Sequence, residues 1–206
     1  MKKYLNIILT LVFVVTLASC GSGSKTKQSN EQDYFKTEMI KEAQQTLDSL
    51  KSHFNYEYDE FNKIGFYTHN NFSNDNIVKL AKNGMLTCSV NSIGGKYVSS
   101  FYVGDDWIFH THFITLINGN KMPSKVVLTN EKNNVRKVGD DYVLENVIYN
   151  GENTNFDLIG MNSDKEIKVR LEGDNGIKDF TMSKIEKDGF RETYELVNAL
   201  IILNSK

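Results

Sequence analysis

Cysteine is nearly absent from this sequence, and proline occurs only once. The 206 residues include two cysteines, Cys20 and Cys88. Cys88 lies in a strand-like run, residues 85–90, and a free cysteine in such a run behaves as a small apolar side chain. We therefore predict that Cys88 is buried and unreactive. The single proline, Pro123, disturbs little if its strand lies at the edge of a sheet.

The sequence also lacks an excess of basic residues. Twenty-four Lys and Arg residues stand against 26 Asp and Glu residues, which gives a formal net charge of −2. Proteins that bind nucleic acid carry basic patches or stripes. The charge balance therefore argues against a nucleic-acid partner.

Local motifs for nucleophilic or phosphate chemistry are missing. There is no Gly-x-Ser-x-Gly elbow, and Cys88 has no histidine nearby in the sequence. Gly94 and Gly95 join two predicted strands, whereas a phosphate-binding loop opens a helix. We predict no catalytic residues and no cofactor, and we favour a role other than that of an enzyme.

The N-terminal segment, in contrast, carries a clear pattern. Lys2 and Lys3 precede an apolar stretch, residues 4–16, and small residues lead from there to Cys20. This layout is typical of a secretory signal peptide, and the stretch is shorter than the roughly 20 apolar residues that span a bilayer. The ending Leu-Ala-Ser-Cys, residues 17–20, resembles the lipobox of bacterial lipoproteins, in which cleavage leaves a lipid-modified cysteine as the first residue.

That resemblance implies a signal peptide over residues 1–19 and attachment to the membrane through lipid on Cys20. A lipidated Cys20 leaves Cys88 without a disulfide partner. Residues 20–32 contain no large apolar residue and are predicted to be a flexible tether with a reach of roughly 20 Å. Gly21 follows the cysteine, which by the same resemblance implies the outer membrane in a Gram-negative host and the outer face of the cell membrane in a Gram-positive host.

The remaining residues, 33–206, are predicted to form a single α+β domain. Apolar residues at three- and four-residue intervals indicate a helix over residues 33–53, capped by Ser29 and Gln32, and a C-terminal helix over residues 184–203, capped by Ser183 and Glu186. Hairpin-forming strands are predicted between the helices, and the pattern over residues 130–163 is too weak to assign. The predicted strands cover residues 63–68, 85–92, 97–103, 106–117, 122–128, 166–172 and 177–182.

This order of elements predicts a largely antiparallel, hairpin-built sheet with the two helices packed on it. A β-sandwich with peripheral helices is the alternative. Asn118 and Gly119 tolerate the backbone angles of a tight hairpin turn. The Gly-Asp-Asp sequences at residues 104–106 and 139–141 are interpreted as turns, because Asp side chains bond to their own backbone.

A second resemblance covers about residues 60–203. The segment Tyr-Val-Gly-Asp-Asp-Trp-Ile-Phe at residues 102–109 and the segment Lys-Val-Arg-Leu-Glu-Gly at residues 168–173 precede a closing helix. This arrangement is similar to an uncharacterised family of small bacterial proteins and lipoproteins with a Tyr-x-Gly-Asp-Asp-Trp-Ile-Phe strand motif. The resemblance implies a shared fold and supplies no activity.

Two sets of residues are candidate binding sites. His110 and His112 are two apart on a predicted strand, so both imidazoles are expected on one face, where a third ligand could complete a zinc site. Tyr97, Tyr102 and Trp107 could line a ligand groove, although they would fill a core equally well. His53 and His69 are isolated in the sequence and are interpreted as surface residues.

Three functional hypotheses follow. The first, which we favour, is a lipid-anchored, non-catalytic binding or interaction module of the cell envelope, whose partner is an envelope protein or a small-molecule ligand. The second is a metal-dependent enzyme that uses His110 and His112. The third is a structural lipoprotein of the envelope.

Overall fold

The structure, a computed structural model, describes residues 25–72, 77, 81–82, 84–122, 134–138 and 142–205. The predicted signal peptide and Cys20 lie outside these residues. So do the second Gly-Asp-Asp turn and most of the strand predicted over residues 122–128. The chain divides after Met39 into two compact units, and all the strands belong to the second unit.

The described residues form three α-helices and ten strands. The helices are α1 (Lys25–Leu50), α2 (Phe156–Met161) and α3 (Lys184–Asn204). The strands are β1 (Phe54–Asp59), β2 (Ile64–His69), β3 (Met85–Asn91), β4 (Lys96–Gly104), β5 (His110–Ile117), β6 (Asn120–Lys121), β7 (Asn134–Val138), β8 (Val143–Asn150), β9 (Ile167–Gly173) and β10 (Gly176–Thr181).

All the paired strands are antiparallel, and they lie in two sheets. One sheet has six strands in the order β1-β2-β3-β4-β8-β7, and the other has four in the order β10-β9-β5-β6. The α+β class with antiparallel, hairpin-built strands and terminal helices is therefore confirmed. The division into two sheets arises because the chain leaves the first sheet after β4 and begins the second with β5.

The turn signals in the sequence locate the hairpins well. The strands on either side of Gly94 and Gly95 pair as β3 and β4, and those on either side of residues 174–175 pair as β9 and β10. Asn118 and Gly119 have φ angles of 49° and 78° and join β5 to β6. Positive φ at both central residues is the geometry of a type I′ turn, which matches the twist of the flanking strands.

Helix α1 differs from its prediction at both ends. It begins at Lys25, so residues 25–32 of the predicted tether are helical, and Ser29 and Gln32 lie inside the helix rather than at its cap. The Lys, Gln and Glu residues of this segment are good helix formers. At the other end, α1 stops at Leu50, and residues 51–53 form a short 3₁₀ turn before β1.

Helix α3 begins where the sequence predicts. Ser183 Oγ accepts a hydrogen bond from the Glu186 amide at 3.2 Å, and Glu186 Oε2 accepts one from the Ser183 amide at 2.7 Å, which completes the capping box. Glu186 Oε1 also accepts a hydrogen bond from the Leu86 amide of β3 at 3.0 Å. One buried carboxylate thus caps α3 and fixes its start against the six-stranded sheet, and burial raises the pKa of this carboxyl.

Both sheets and α3 contribute to one hydrophobic core. Phe190, Leu196 and Val197 of α3 are fully buried, as are Ile167 and Leu171 of β9. Leu50, at the end of α1, belongs to the same core, with Leu47 packed against it. Among the described residues, no helix is both long enough and apolar enough to cross a membrane.

The segment between β4 and β5 carries the chain from one sheet to the other. The predicted strand over residues 106–117 begins only at His110, because residues 105–109 form a bend in which Phe109 has a φ of 52°. The backbone of this bend runs directly against Gly173 at the end of β9. A Cβ at Gly173 would overlap the carbonyl oxygen of Ile108 and the amide nitrogen of His110.

We expect Gly173→Ala to lower the free energy of unfolding by about 1–3 kcal/mol, because the backbone of residues 108–110 must shift to make room. Gly176→Ala, at the other side of the same turn, is the matched control, since its Cβ would lie 3.6 Å from the nearest side-chain atom. Urea unfolding of both variants measures the difference. Equal stability of the two variants would contradict the close approach at Gly173.

Candidate functional site

A β-bulge separates the two histidines that the sequence singles out. His110 pairs with Gly173 and His112 with Glu172, so two steps along β5 match one step along β9. An extra residue of this kind reverses the alternation of side chains along the strand. His110 is consequently buried on the same side as Phe113 and Thr115, whereas the side chain of His112 is 28% exposed.

The prediction that His110 and His112 share one face is therefore wrong, and the two do not converge on a common site. His112 Nε2 lies 2.8 Å from Glu172 Oε2, across the β5–β9 pair. His110 contacts a different carboxylate, Glu145 on β8, with 2.9 Å between Nδ1 and Oε2. The bulge, which no residue within β5 signals, is the physical reason for the difference.

His110 is the centre of a buried polar network. Its Nε2 lies 2.8 Å from Ser100 Oγ, and Ser100 Oγ lies 3.0 Å from the hydroxyl of Tyr149. Every group is satisfied when the Tyr149 hydroxyl donates to Ser100, Ser100 donates to His110, and His110 Nδ1–H donates to Glu145. Ser100, His110 and Glu145 are fully buried.

The buried carboxylate of Glu145 accepts four hydrogen bonds. Its two oxygens accept from the backbone amides of Ile108, Phe109 and His110 at 2.8–2.9 Å, in addition to the His110 ring. Burial by itself raises the pKa of Glu145, but the hydrogen bonds from His110 and the backbone amides outweigh burial and lower it below its ordinary value. The carboxyl group is therefore held ionised inside the protein.

The serine, histidine and glutamate have the contact order of a hydrolase triad, in which a base activates a nucleophile and an acid orients the base. Here all three groups are inaccessible to solvent, and Tyr149 contacts the serine oxygen. A substrate cannot reach Ser100 in this structure, so the network holds the fold together. Sequence analysis missed it because Ser100 and Glu145 are 10 and 35 residues from His110.

The three aromatic residues of the predicted ligand groove lie apart from one another. Tyr97 and Tyr102 are five residues apart on β4 and so point to opposite faces of the sheet. Tyr102 is buried, and Lys178 lies over its ring. Trp107 belongs to the bend before β5 and stacks on Phe109 with 5.7 Å between ring centroids. A groove lined by both tyrosines is therefore not formed.

His53 and His69, which we interpreted as isolated surface residues, lie together with Glu192 of α3. His53 Nδ1 lies 2.7 Å from Glu192 Oε2, and His69 Nε2 lies 2.9 Å from the same oxygen. His69 is buried, while the side chain of His53 is 49% exposed. The interpretation as surface residues is therefore wrong for His69. We call these three residues the His-Glu-His cluster.

Two further predictions concern single residues. Cys88 is buried, as predicted, with its sulfur 4.0 Å from the carbonyl oxygen of Gly189. Burial raises the pKa of the thiol well above its ordinary value, which makes it a poor nucleophile and metal ligand. Asp105 and Asp106 are exposed in the bend after β4, which agrees with their interpretation as turn residues.

We expect Glu145→Gln to lower the free energy of unfolding at pH 7 by about 3 kcal/mol or more. The NH₂ group of the glutamine would face backbone amides or the His110 N–H, which now donate to a carboxylate oxygen. Glu172→Gln, at the partly exposed His112 pair, is the matched control and is expected to cost less than about 1 kcal/mol. Urea unfolding monitored by tyrosine fluorescence and circular dichroism measures both. Similar losses in the two variants would contradict this role for Glu145.

The difference in the free energy of unfolding between wild type and Glu145→Gln also depends on pH. Because the pKa of Glu145 is lower in the folded protein than its ordinary value of 4.5, the stabilisation is complete above that value and is lost as the pH falls through the folded-state pKa. We expect this difference in the free energy of unfolding to become smaller below about pH 4.5. A difference that stays constant down to pH 3.5 would contradict the lowered pKa of Glu145.

Comparison of the chain with protein-family models, curated proteins and solved structures finds no match. The resemblance of residues 102–109 to a bacterial family therefore stays a prediction, as does the lipobox. The function of this protein has to be argued from its own residues and their geometry.

Proposed function

We propose that this protein is a lipid-anchored component of the bacterial cell envelope and that its folded domain is a non-catalytic binding module. The anchor is supported by the sequence Leu-Ala-Ser-Cys at residues 17–20 behind a short apolar stretch. The proposed location is the outer membrane of a Gram-negative host or the outer face of the cell membrane of a Gram-positive host. The binding role is supported by the exposed aromatic surface of the β1–β2 hairpin.

That hairpin presents aromatic side chains to solvent along an edge of the six-stranded sheet. Phe61, in the turn between β1 and β2, is 99% exposed, and Tyr56 and Tyr58 of β1 are each about half exposed. Leaving a large aromatic side chain in water forgoes about 1.5–3 kcal/mol of burial free energy. Tyrosine and phenylalanine are enriched at the centres of protein interfaces. The exposure of Phe61 is the observation on which the proposed binding role depends.

Hydrogen bonds to Asp59 hold the backbone of the turn that carries Phe61. Asp59 Oδ1 accepts hydrogen bonds from the amides of Phe61 and Asn62 at 2.9 and 3.0 Å, and these bonds lower the pKa of Asp59. Lys63 follows with a φ of 55°. A turn whose backbone is already held in place loses less conformational entropy on binding than a flexible loop does. The tip of the hairpin is therefore suited to entering a pocket on a partner.

The charge around Phe61 indicates what kind of partner this is. Glu57, Asp59 and Glu60 are acidic, and Lys63 is the basic residue of the same hairpin. Bacterial membrane surfaces are rich in anionic lipid, which repels acidic side chains. A small molecule is usually enclosed in a concave site, whereas the hairpin tip projects. We therefore assign the hairpin to a protein partner in the envelope.

The lipid anchor predicts that Cys20→Ala protein carries no fatty acid. Cells grown with an alkyne-tagged fatty acid should label the wild-type protein and leave Cys20→Ala unlabelled. Cys88→Ala is the matched control and should keep the label, because Cys88 is buried in the folded domain. Label on Cys20→Ala, or wild-type protein without label, would contradict the anchor.

The binding role predicts that Phe61→Ser weakens binding of one protein partner without changing the melting temperature. Loss of an aromatic anchor costs about 2 kcal/mol, or roughly 30-fold in affinity. Ile93→Ser, at another exposed turn of the same sheet, is the matched control. Crosslinking in native membranes should capture the same partner with wild type and Ile93→Ser and lose it with Phe61→Ser. Equal capture by all three proteins, or binding of the hairpin to anionic vesicles, would contradict the proposal.

A further inference from the structure

We infer that the His-Glu-His cluster binds a divalent transition-metal ion, with zinc as the best match to its ligands. The three donor atoms, one from each of His53, His69 and Glu192, all lie within 4.8 Å of one another. A zinc ion bound to all three would lie about 2.0–2.2 Å from each. Small movements of these side chains, together with a turn of the Asn71 amide away from the His69 ring, would give that geometry. The inference goes beyond the proposed binding role and does not depend on it.

Three separate elements bring these donors together. His53 ends the short 3₁₀ turn between α1 and β1, and His69 is the last residue of β2. The antiparallel register places Phe54 opposite His69, so the residue before Phe54 lies beside the histidine of the neighbouring strand. Glu192 reaches the pair from α3, whose start is fixed to β3 by Glu186. The cluster therefore rests on rigid elements of the fold.

The donor set selects a class of metal ion. Two imidazoles and one carboxylate are typical of zinc sites that keep a fourth position open, whereas calcium and magnesium prefer oxygen ligands. His69 is buried with its ring 5.0 Å from Phe54 and 5.9 Å from Phe72, so its orientation is fixed. His53 lies on the open side of the cluster. An ion can enter from that side, and a water molecule or another ligand can take the fourth position.

The charge of the cluster suits a cation. Partial burial raises the pKa of Glu192, but the hydrogen bonds from His69 and His53 outweigh burial and lower it, so the carboxyl is ionised at neutral pH. Arg191 Nη2 contacts the other carboxylate oxygen, Oε1, at 3.2 Å. That contact leaves Oε2 directed toward the two imidazoles. Contacts at both carboxylate oxygens thus hold the Glu192 side chain in its orientation.

The hydrogen bond at the far side of the His69 ring makes a specific prediction about the bound state. The Asn71 amide donates to His69 Nδ1 at 3.1 Å, so without metal the ring proton lies on Nε2 and is donated to Glu192. A metal ion on Nε2 displaces this proton, and a neutral ring then carries its proton on Nδ1. The Asn71 amide must turn away. Metal binding is therefore coupled to the turn at residues 70–72.

The alternative for this cluster is a hydrogen-bonded group of two histidines and a glutamate with no ligand. Titration with metal ions distinguishes that alternative from a metal site. The full-length protein, extracted in detergent and treated with a chelator, is titrated with Zn²⁺ and separately with Co²⁺. We expect one equivalent of either ion to bind and Co²⁺ to give visible absorption bands of a low-coordinate site.

Variants distinguish the cluster from other ligands on the chain. His53→Ala and Glu192→Gln should each weaken Zn²⁺ binding by about tenfold or more, since even the loss of outer-shell groups costs that much. His53 is half exposed, so His53→Ala should fold even if the Glu192 variant does not. Two matched controls should bind Zn²⁺ as wild type does. One is Glu195→Gln, one turn further along α3, and the other is His112→Asn, at the partly exposed His112–Glu172 pair.

A third readout is the amide of Asn71, whose NMR signal should shift and exchange faster with solvent when Zn²⁺ binds to wild type. Absence of stoichiometric binding by wild type would overturn the inference. Binding that survives in His53→Ala and Glu192→Gln, or that is lost in His112→Asn, would overturn it as well. Failure of the proposed binding role is seen separately, because Phe61→Ser leaves all three ligands in place.

Discussion

The passage of the chain between its two sheets depends on one buried carboxylate. Glu145 stands on β8 in the six-stranded sheet, and the groups that donate to it belong to residues 108–110, where the four-stranded sheet begins. Without that acceptor, three backbone amides would be buried unpaired at a bend that already holds Phe109 at positive φ. The bulge in β5, the burial of His110 and the close approach to Gly173 all lie at this contact. Glu145 therefore joins the two sheets as well as neutralising local donors.

Helix α3 is attached to the six-stranded sheet by the same kind of contact. Glu186 accepts a hydrogen bond from the backbone of β3, and Glu192 accepts from a histidine on β2 and another before β1. The acceptors differ in what surrounds them. Glu145 and Glu186 are buried, and each accepts from backbone amides that cannot leave. Glu192 accepts from histidine side chains, one of them half exposed, and imidazole nitrogen can exchange its proton for a metal ion. We therefore expect Glu192 to bind a metal ion, whereas Glu145 and Glu186 support the structure.

The parts of this structure that the sequence predicts are the parts that local contacts determine. Asn118 and Gly119 make their own turn, and Ser183 and Glu186 make their own cap, so both features were readable within a few residues. The His-Glu-His cluster joins residues 139 and 123 positions apart, and the Ser100–His110–Glu145 network depends on pairing between distant strands. The β-bulge inverted the expected face of His110 although β5 itself contains no glycine. The missed features all depend on how distant strands pair, and the residue preferences of a short segment do not determine that pairing.

The hairpin β1–β2 carries both proposed binding surfaces, and its register keeps them apart. Phe54 pairs with His69 at one end, beside the His-Glu-His cluster, and Asp59 pairs with Ile64 at the other end, beside Phe61. Five steps along a strand of about 3.4 Å per residue separate these ends by about 17 Å. A metal ion in the cluster therefore does not contact Phe61 itself. An effect of metal that the protein carries to the tip of the hairpin would pass along these strands, and it would begin at the turn at residues 70–72, which follows β2 directly.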